Sequence, residues 1–375
     1  MNHMKNTHQK VSRWILASLS IFLLTACGIF SSDSEEDETI EEDTTEEIEP
    51  TENEEVEEVS VNQDLAAWLP RLNNVVYHYD GSGNEYAPFK WTPQFNEEDY
   101  YQTARDNSGT TVVEVYQYMD DEITRVHSQE ETCYRDNLTS IWGLDRFEEE
   151  EIILKTPIAV GTSWSNNDTS YEITAIEMEI EVPAGTYQTI EVTIENENSI
   201  IKRYYAEEVG LVYEQTDLTE LTIESKLAEI QKDTAEKIPL TIYQADDQLM
   251  ALDAIDAELS LDTNEPARFA LTELLTGEKE GMEDIFLMPK GSEINYLFLN
   301  KDNIVEVDLS SEYISNMNTG SSGEQFALQG LVNTLTQYYG VEDLLLTIDG
   351  GQYESGHILL EKDELMSFDD RNINE

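Results

Sequence analysis

Cysteine is scarce in this chain, with two residues, Cys27 and Cys133, in 375. If Cys27 is spent on a terminal modification, Cys133 has no partner, so the fold holds together by burial without an intrachain disulfide. Cys133 also lacks the CxxC or clustered-histidine spacing of a zinc or redox site. Positive charge is scarce too: 21 Lys and Arg stand against 80 Asp and Glu, a formal net charge of -59. Sixteen of the acids fall between Asp33 and Glu58 and three of the bases in the first 13 residues, so the rest keeps 64 acids against 18 bases. Such a surface repels nucleic acid, which binds through neutralisation of its phosphates, and so excludes it as a partner. It also repels anionic lipid headgroups and wall polymers, so the folded body is expected to stand away from the membrane.

One apolar run is present, Trp14 to Ala26, 13 residues long and preceded by Lys5, Lys10 and Arg13. A helix needs about 20 apolar residues to cross a bilayer, so the run fits an export signal better than a permanent span. It closes with Leu24-Thr25-Ala26-Cys27, which resembles the lipobox of bacterial lipoproteins. That resemblance implies cleavage before Cys27, lipidation of its thiol and anchorage on the extracytoplasmic face of the cell membrane. Residues 1–27 are therefore read as signal and lipobox. Residues 28–62 are Ser, Thr, Asp and Glu with little apolar beyond Ile40, Ile48, Val56 and Val59. They cannot bury enough surface to offset the entropy of folding, and are expected to form a disordered acidic tether about 35 Å long when relaxed.

Residues 63–225 read as a β-rich domain, an antiparallel sandwich or partial barrel. Ile190, Val192 and Ile194 alternate with Glu191, Thr193 and Glu195, the period of a half-buried strand. From Tyr171 to Val182 the apolar phase shifts near Ala175, which predicts a bulge or a change of sheet. Turn signals recur at Asp80–Asn84, Asp106–Gly109, Asn166–Asp168 and Asn196–Asn198. Residues 226–239 are charged, lack alternation and are read as a linker or short helix. Residues 240–362 change character. Pro266 opens a helix with Ala267, Ala270, Leu271, Leu274 and Leu275 on one face. Ile294–Leu299 and Ile304–Leu309 predict a hairpin, and Ser321 with Glu324 predicts a capping box at the head of a second helix striped by Leu328, Leu331, Val332, Leu335 and Tyr339. Leu344–Ile348 is the next strand, and the order β, α, β, β, α, β predicts a two-layer α/β sandwich. Residues 363–375 are read as a flexible tail.

Four segments in order, Leu287-Met288-Pro289-Lys290-Gly291, Val305 to Ser310, Leu331 to Thr336 and Ile348-Asp349-Gly350, resemble the sporulation and spore germination domain GerMN. The resemblance covers about residues 240–360. It implies an extracytoplasmic envelope module acting in assembly or wall interaction, and it supplies no catalytic set. The stretch after the first helix, often Gly-Pro in that family, reads Gly277-Glu278 here, and the loop before the second helix is long. The segments Val182 to Tyr187 and Tyr204 to Val212 also resemble a pattern in β-rich domains of other bacterial lipoproteins.

Other constellations have simpler readings. Gly320 to Gly323 before a helix lacks the lysine of a phosphate loop, and Glu324 stands where an anion would sit. Asp80, Ser82 and Asn84 space their oxygens like a calcium loop, but Glu85 replaces the glycine and Trp91 holds the twelfth position, so a turn is expected. After Cys27 the histidines are His78, His127 and His357. Cys133 lies six positions from His127, and is read as a buried strand thiol rather than a nucleophile. Trp68, Trp91, Trp142 and Trp164 all fall in the β-rich part and are read first as core, second as a sugar or apolar ligand platform. The expected function is that of a non-enzymatic, lipid-anchored envelope protein without cofactor or metal, touching envelope proteins or peptidoglycan. A carrier with an apolar or glycan ligand in the β-rich domain is the alternative, and a wall hydrolase the third reading.

Overall fold

Alternating side chains pair hairpin by hairpin into a single antiparallel sheet. The computed structural model describes residues 61–140 and 151–374, so Cys27, the tether and Trp142 lie outside the described residues. Among these, a short helix α1 (Leu65–Trp68) precedes the strands β1 (Val75–Ser82), β2 (Phe89–Glu97), β3 (Tyr100–Asp106), β4 (Thr111–Tyr118), β5 (Glu122–Gln129) and β6 (Glu151–Lys155). Then come β7 (Ser163–Asn166), β8 (Thr169–Val182), β9 (Gly185–Glu195), β10 (Ser199–Ala206), β11 (Gly210–Leu218) and β12 (Thr222–Lys232). The sheet order is β6-β5-β4-β3-β2-β1-β12-β11-β10-β9-β8-β7, so the first half runs outward from β1 and the second returns through β12. All four turn signals sit at hairpins, where Ser108 and Asn167 take left-handed backbone angles. The phase shift near Ala175 is a double irregularity in the β8–β9 register, with Glu177 left-handed.

The sheet curls until its two end strands meet. Trp164 donates its indole N–H to the Ile152 carbonyl at 2.9 Å. The Asn166 amide donates to the same carbonyl at 3.1 Å and accepts from the Ile152 N–H at 3.1 Å. A side-chain amide here offers the donor and acceptor of a peptide unit, so the edges of β6 and β7 are sealed by side chains in place of a strand ladder. Apolar side chains of α1, β5, β6, β8, β9 and β10 fill one part of the interior, and those of β1, β2, β11 and β12 another.

The second half adds β13 (Glu236–Ala245) and β14 (Leu252–Leu261) as a two-stranded hairpin, α2 (Ala267–Leu275), the hairpin β15 (Ile294–Leu299) and β16 (Ile304–Leu309), α3 (Glu312–Ser315), α4 (Ser321–Tyr339), β17 (Asp343–Ile348), β18 (Gly351–Gln352) and β19 (Leu365–Ser367). Strands β16 and β17 are parallel, joined across α4, and β17 also pairs with β18 and β19. Leu328, Leu331, Val332 and Leu335 are buried as the helical spacing predicts, but so are Asn333, Thr334 and Thr336. The helix is covered on more than one side. Thr334 accepts from the Tyr243 N–H of β13 at 3.0 Å, and Asn333 exchanges two hydrogen bonds with the backbone of Asp369.

Four expectations are corrected. Residues 226–239 are neither helix nor linker: they belong to β12 and β13, with a break only at Asp233–Ala235, because β12 pairs along β1 through a bulge that disrupts its alternation. Residues 363–375 are not free as far as they are described. Strand β19 joins β17, the Phe368 ring stands edge-on to Tyr243, and the Asn372 carbonyl accepts from the Leu252 N–H. The capping box does not form: Gly320 is the N-cap, which places Ser321 inside the helix, and the buried Glu324 carboxylate accepts from the Tyr353 hydroxyl at 2.8 Å. Cys133 is exposed in the loop after β5 rather than buried on a strand, because Thr132, Tyr134, Arg135 and Asp136 take the inward positions.

That loop is also where the two halves join. Arg135, 1% exposed, pairs with Glu236 at 3.1 Å and donates to the carbonyls of Gln94, Leu261 and Asp262. Asp136 accepts from the Tyr339 hydroxyl at 2.7 Å and the Leu299 N–H at 3.0 Å. The described residues accordingly fall into one compact unit with two cores.

Candidate functional site

Charged residues occupy inward positions of several barrel strands. On β10 the face of Ile201, Arg203 and Tyr205 points inside, on β3 that of Tyr101, Thr103 and Arg105, and on β4 that of Glu114, Tyr116 and Tyr118. Arg203 meets Glu214 at 2.8 Å, and Arg105 meets the same carboxylate at 3.3 Å. Arg125 bridges Glu114, at 2.7 Å, and Glu151. The hydroxyls of Tyr116 and Tyr171 donate to these two glutamates, each at 2.7 Å. Among the described residues, three guanidiniums thus face three carboxylates, inside a chain of net charge -59.

Burial by itself raises the Glu214 carboxyl, but the Arg203 and Arg105 guanidiniums overcome it and hold the group at about 2. Burial likewise lowers Arg203, and Glu214 beside it more than reverses the shift. Glu214 is therefore a fixed anion, with no proton to give near neutral pH. Glu236 goes the other way, raised by burial that Arg135 only partly offsets, but it is locked to Arg135 and Gln94.

A cavity of about 80 Å³ remains beside the network. The aromatic faces around it are already occupied: the Phe89 ring is stacked on Tyr79 at 4.1 Å and carries the Arg105 guanidinium at 3.7 Å, and the Tyr77 and Trp91 rings pack at 5.3 Å. Such a space takes a few waters and leaves no open ring for a sugar to stack on.

The residues singled out from the sequence are scattered. Trp68 is core, donating to the Asn62 carbonyl, and Trp164 seals the barrel seam. Asp80 and Ser82 sit at the end of β1, and Asn84 closes a turn by accepting from the Tyr86 N–H. His357 is an exposed turn residue, and His78 and His127 lie on β1 and β5. Among the described residues no three His, Cys, Asp or Glu side chains are grouped to hold a metal ion, and no helix is long and apolar enough to cross a membrane. Sequence reading missed the charged interior, whose one signal was an arginine in the apolar phase of Ile201-x-Arg203-x-Tyr205.

The described residues form a closed antiparallel β domain with ion-paired side chains inside, joined through Arg135 and Asp136 to an α/β domain. Residues 233–354, a third of the chain, match the Germane family, described as sporulation and spore germination. No curated protein matches the sequence. Among solved structures, the first GerMN domain of the sporulation protein GerM from Bacillus subtilis is 22% identical, with a TM-score of 0.26 over 34% of this chain and 96% of that one. A protein described as exported, with a YmcC-like fold, from Bacteroides fragilis is 13% identical, with a TM-score of 0.28 over 44% and 98% of the two chains. A protein described as a lipoprotein from Clostridium perfringens is 17% identical, with a TM-score of 0.22 over 36% and 88%. At these scores none of the three carries an argument about this chain.

Proposed function

We propose that the protein is held on the extracytoplasmic face of the cell membrane by lipid on Cys27 and acts by binding envelope proteins or peptidoglycan, in sporulation, germination or envelope upkeep. The observation that carries this reading is a Germane-family match over residues 233–354 in a chain whose apolar run from Trp14 to Ala26 ends in a lipobox-like Leu-Thr-Ala-Cys. Binding is favoured over catalysis because the carboxylates facing the barrel interior, Glu114, Glu151 and Glu214, are paired with arginines. Glu114 and Glu151, which converge on Arg125, each also accept a tyrosine hydroxyl. The carrier reading draws little from the cavity beside the arginines, at about 80 Å³.

Cell fractionation tests the anchor. The native protein is expected in the membrane fraction with a diacylated N-terminal cysteine, and Cys27→Ala is expected to lose the lipid. An unmodified Cys27 in the mature protein refutes the anchor. Counting heat-resistant spores and germination rate in a deletion strain tests the role, and wild-type values in both, with unchanged envelope integrity, refute it.

A further inference from the structure

The turn between β13 and β14, residues 246–251, shows apolar side chains where a turn tip is ordinarily polar. Leu249 is 42% exposed and Met250 70%. Leu249 also takes a left-handed backbone angle, φ +53°, which a leucine rarely adopts. Beside this turn runs the segment Ile285-Phe286-Leu287-Met288. Ile285, Leu287 and Met288 turn into the core, whereas Phe286 is 62% exposed. It is held outward by Gln244 of β13, whose side chain is buried. That amide donates to the Asp284 carbonyl at 3.1 Å and accepts from the Phe286 N–H at 2.7 Å. A clamp of this kind spends a buried polar side chain on fixing an aromatic ring in solvent.

Between the two segments lies a groove of about 340 Å³, floored by Ile285, Leu287, Met288 and Ala327 and bordered by Leu249 and Phe286, with Glu283 and Lys290 as its charged lining. Phe286 and Gln244 also border a neighbouring hollow whose charged lining is acidic throughout: Asp246, Asp247, Asp253, Glu283 and Asp284. An apolar trough with an anionic flank selects its occupant by charge. A second copy of this chain brings 80 acids of its own against 21 bases, and an anionic bilayer repels the flank in the same way. A segment with apolar side chains on one face and Lys or Arg beside them matches both surfaces.

We propose that this groove, in the GerMN-like region, is the docking site for a cationic amphipathic segment of a partner protein. Its apolar side chains lie on Phe286 and Leu249, and its cations on the acids of residues 246–247 and 283–284. The inference rests on the binding role proposed above and specifies its surface.

The test uses the full chain in detergent and a synthetic amphipathic peptide of leucine and lysine at helical spacing, followed by fluorescence anisotropy. The peptide is expected to bind, more weakly as salt rises, and F286S is expected to weaken it about tenfold or more, as for a buried interface anchor. L249N, which puts a residue tolerant of left-handed angles at that turn, is expected to weaken it with no fall in melting temperature. V160S, at an exposed valine of the other domain, serves as the control. Equal binding by a leucine–glutamate peptide, or F286S and L249N affinities matching V160S, overturns the groove. A photocrosslinking residue placed at 286 and, separately, at 160 in living cells separates the two levels. Capture of a basic amphipathic segment at 286 alone supports the site. Capture only at 160 overturns the groove while leaving the binding role standing, and capture at neither position overturns both.

Discussion

Glu214 shows how single residues govern the barrel interior. With an ordinary value of 4.5 in the unfolded chain and about 2 in the folded one, its depressed carboxyl adds stability that is fully present above pH 4.5. That stability is lost as the pH falls towards 2, and linkage sets its size at about 3 kcal/mol. Glu214→Gln is therefore expected to flatten the acid limb of a stability-versus-pH curve between those values. At neutral pH it should cost about 3–5 kcal/mol by leaving Arg203 and Arg105 without their shared anion. An unchanged acid limb, measured by denaturant midpoints at stepped pH, contradicts this assignment. Cys133, exposed in its loop, is expected to react fully with a maleimide under native conditions. Protection until denaturant is added shows instead that the thiol is covered.

At the scale of elements, the joint between α4 and β13 depends on a glycine in mid-helix. A Cβ at Gly330 would stand 2.2 Å from the Tyr243 carbonyl oxygen and 2.8 Å from the Leu287 side chain. Replacing a helical glycine by alanine ordinarily stabilises a helix by about 1 kcal/mol. Here the overlap is with backbone that cannot move freely, so Gly330→Ala is expected to destabilise by about 1–3 kcal/mol. A rise in the melting temperature would show that the hairpin shifts without cost. The elements with a clean local period were legible beforehand: β15 and β16 run from Ile294 to Leu299 and from Ile304 to Leu309 as their alternation predicts. Those that depend on a distant partner were not. Strand β12 looks irregular because it bulges against β1, more than a hundred residues away.

For the whole molecule, the clasp of Arg135 with Glu236 decides whether two cores melt as one. The described tryptophans all lie in the barrel, whereas α2 and α4 lie in the α/β part. Tryptophan emission and far-UV ellipticity therefore follow different halves. The two curves are expected to coincide in the native protein and to separate in Arg135→Ala, which leaves a buried carboxylate unpaired at a cost of about 3–5 kcal/mol. Coincident curves in the variant would remove the clasp from the account. A net charge of -59 also means that moderate salt should raise the melting temperature by screening self-repulsion.

An acid-rich composition and most hairpins follow from neighbouring residues, since charge runs and a period of two are properties of short stretches of chain. The pairing of Arg105 with Glu214 and the Arg135 clasp on Glu236 do not. Each joins side chains about a hundred residues apart in the chain, and closure of the sheet and docking of the second half on it had to set their distances before their charges could act on one another.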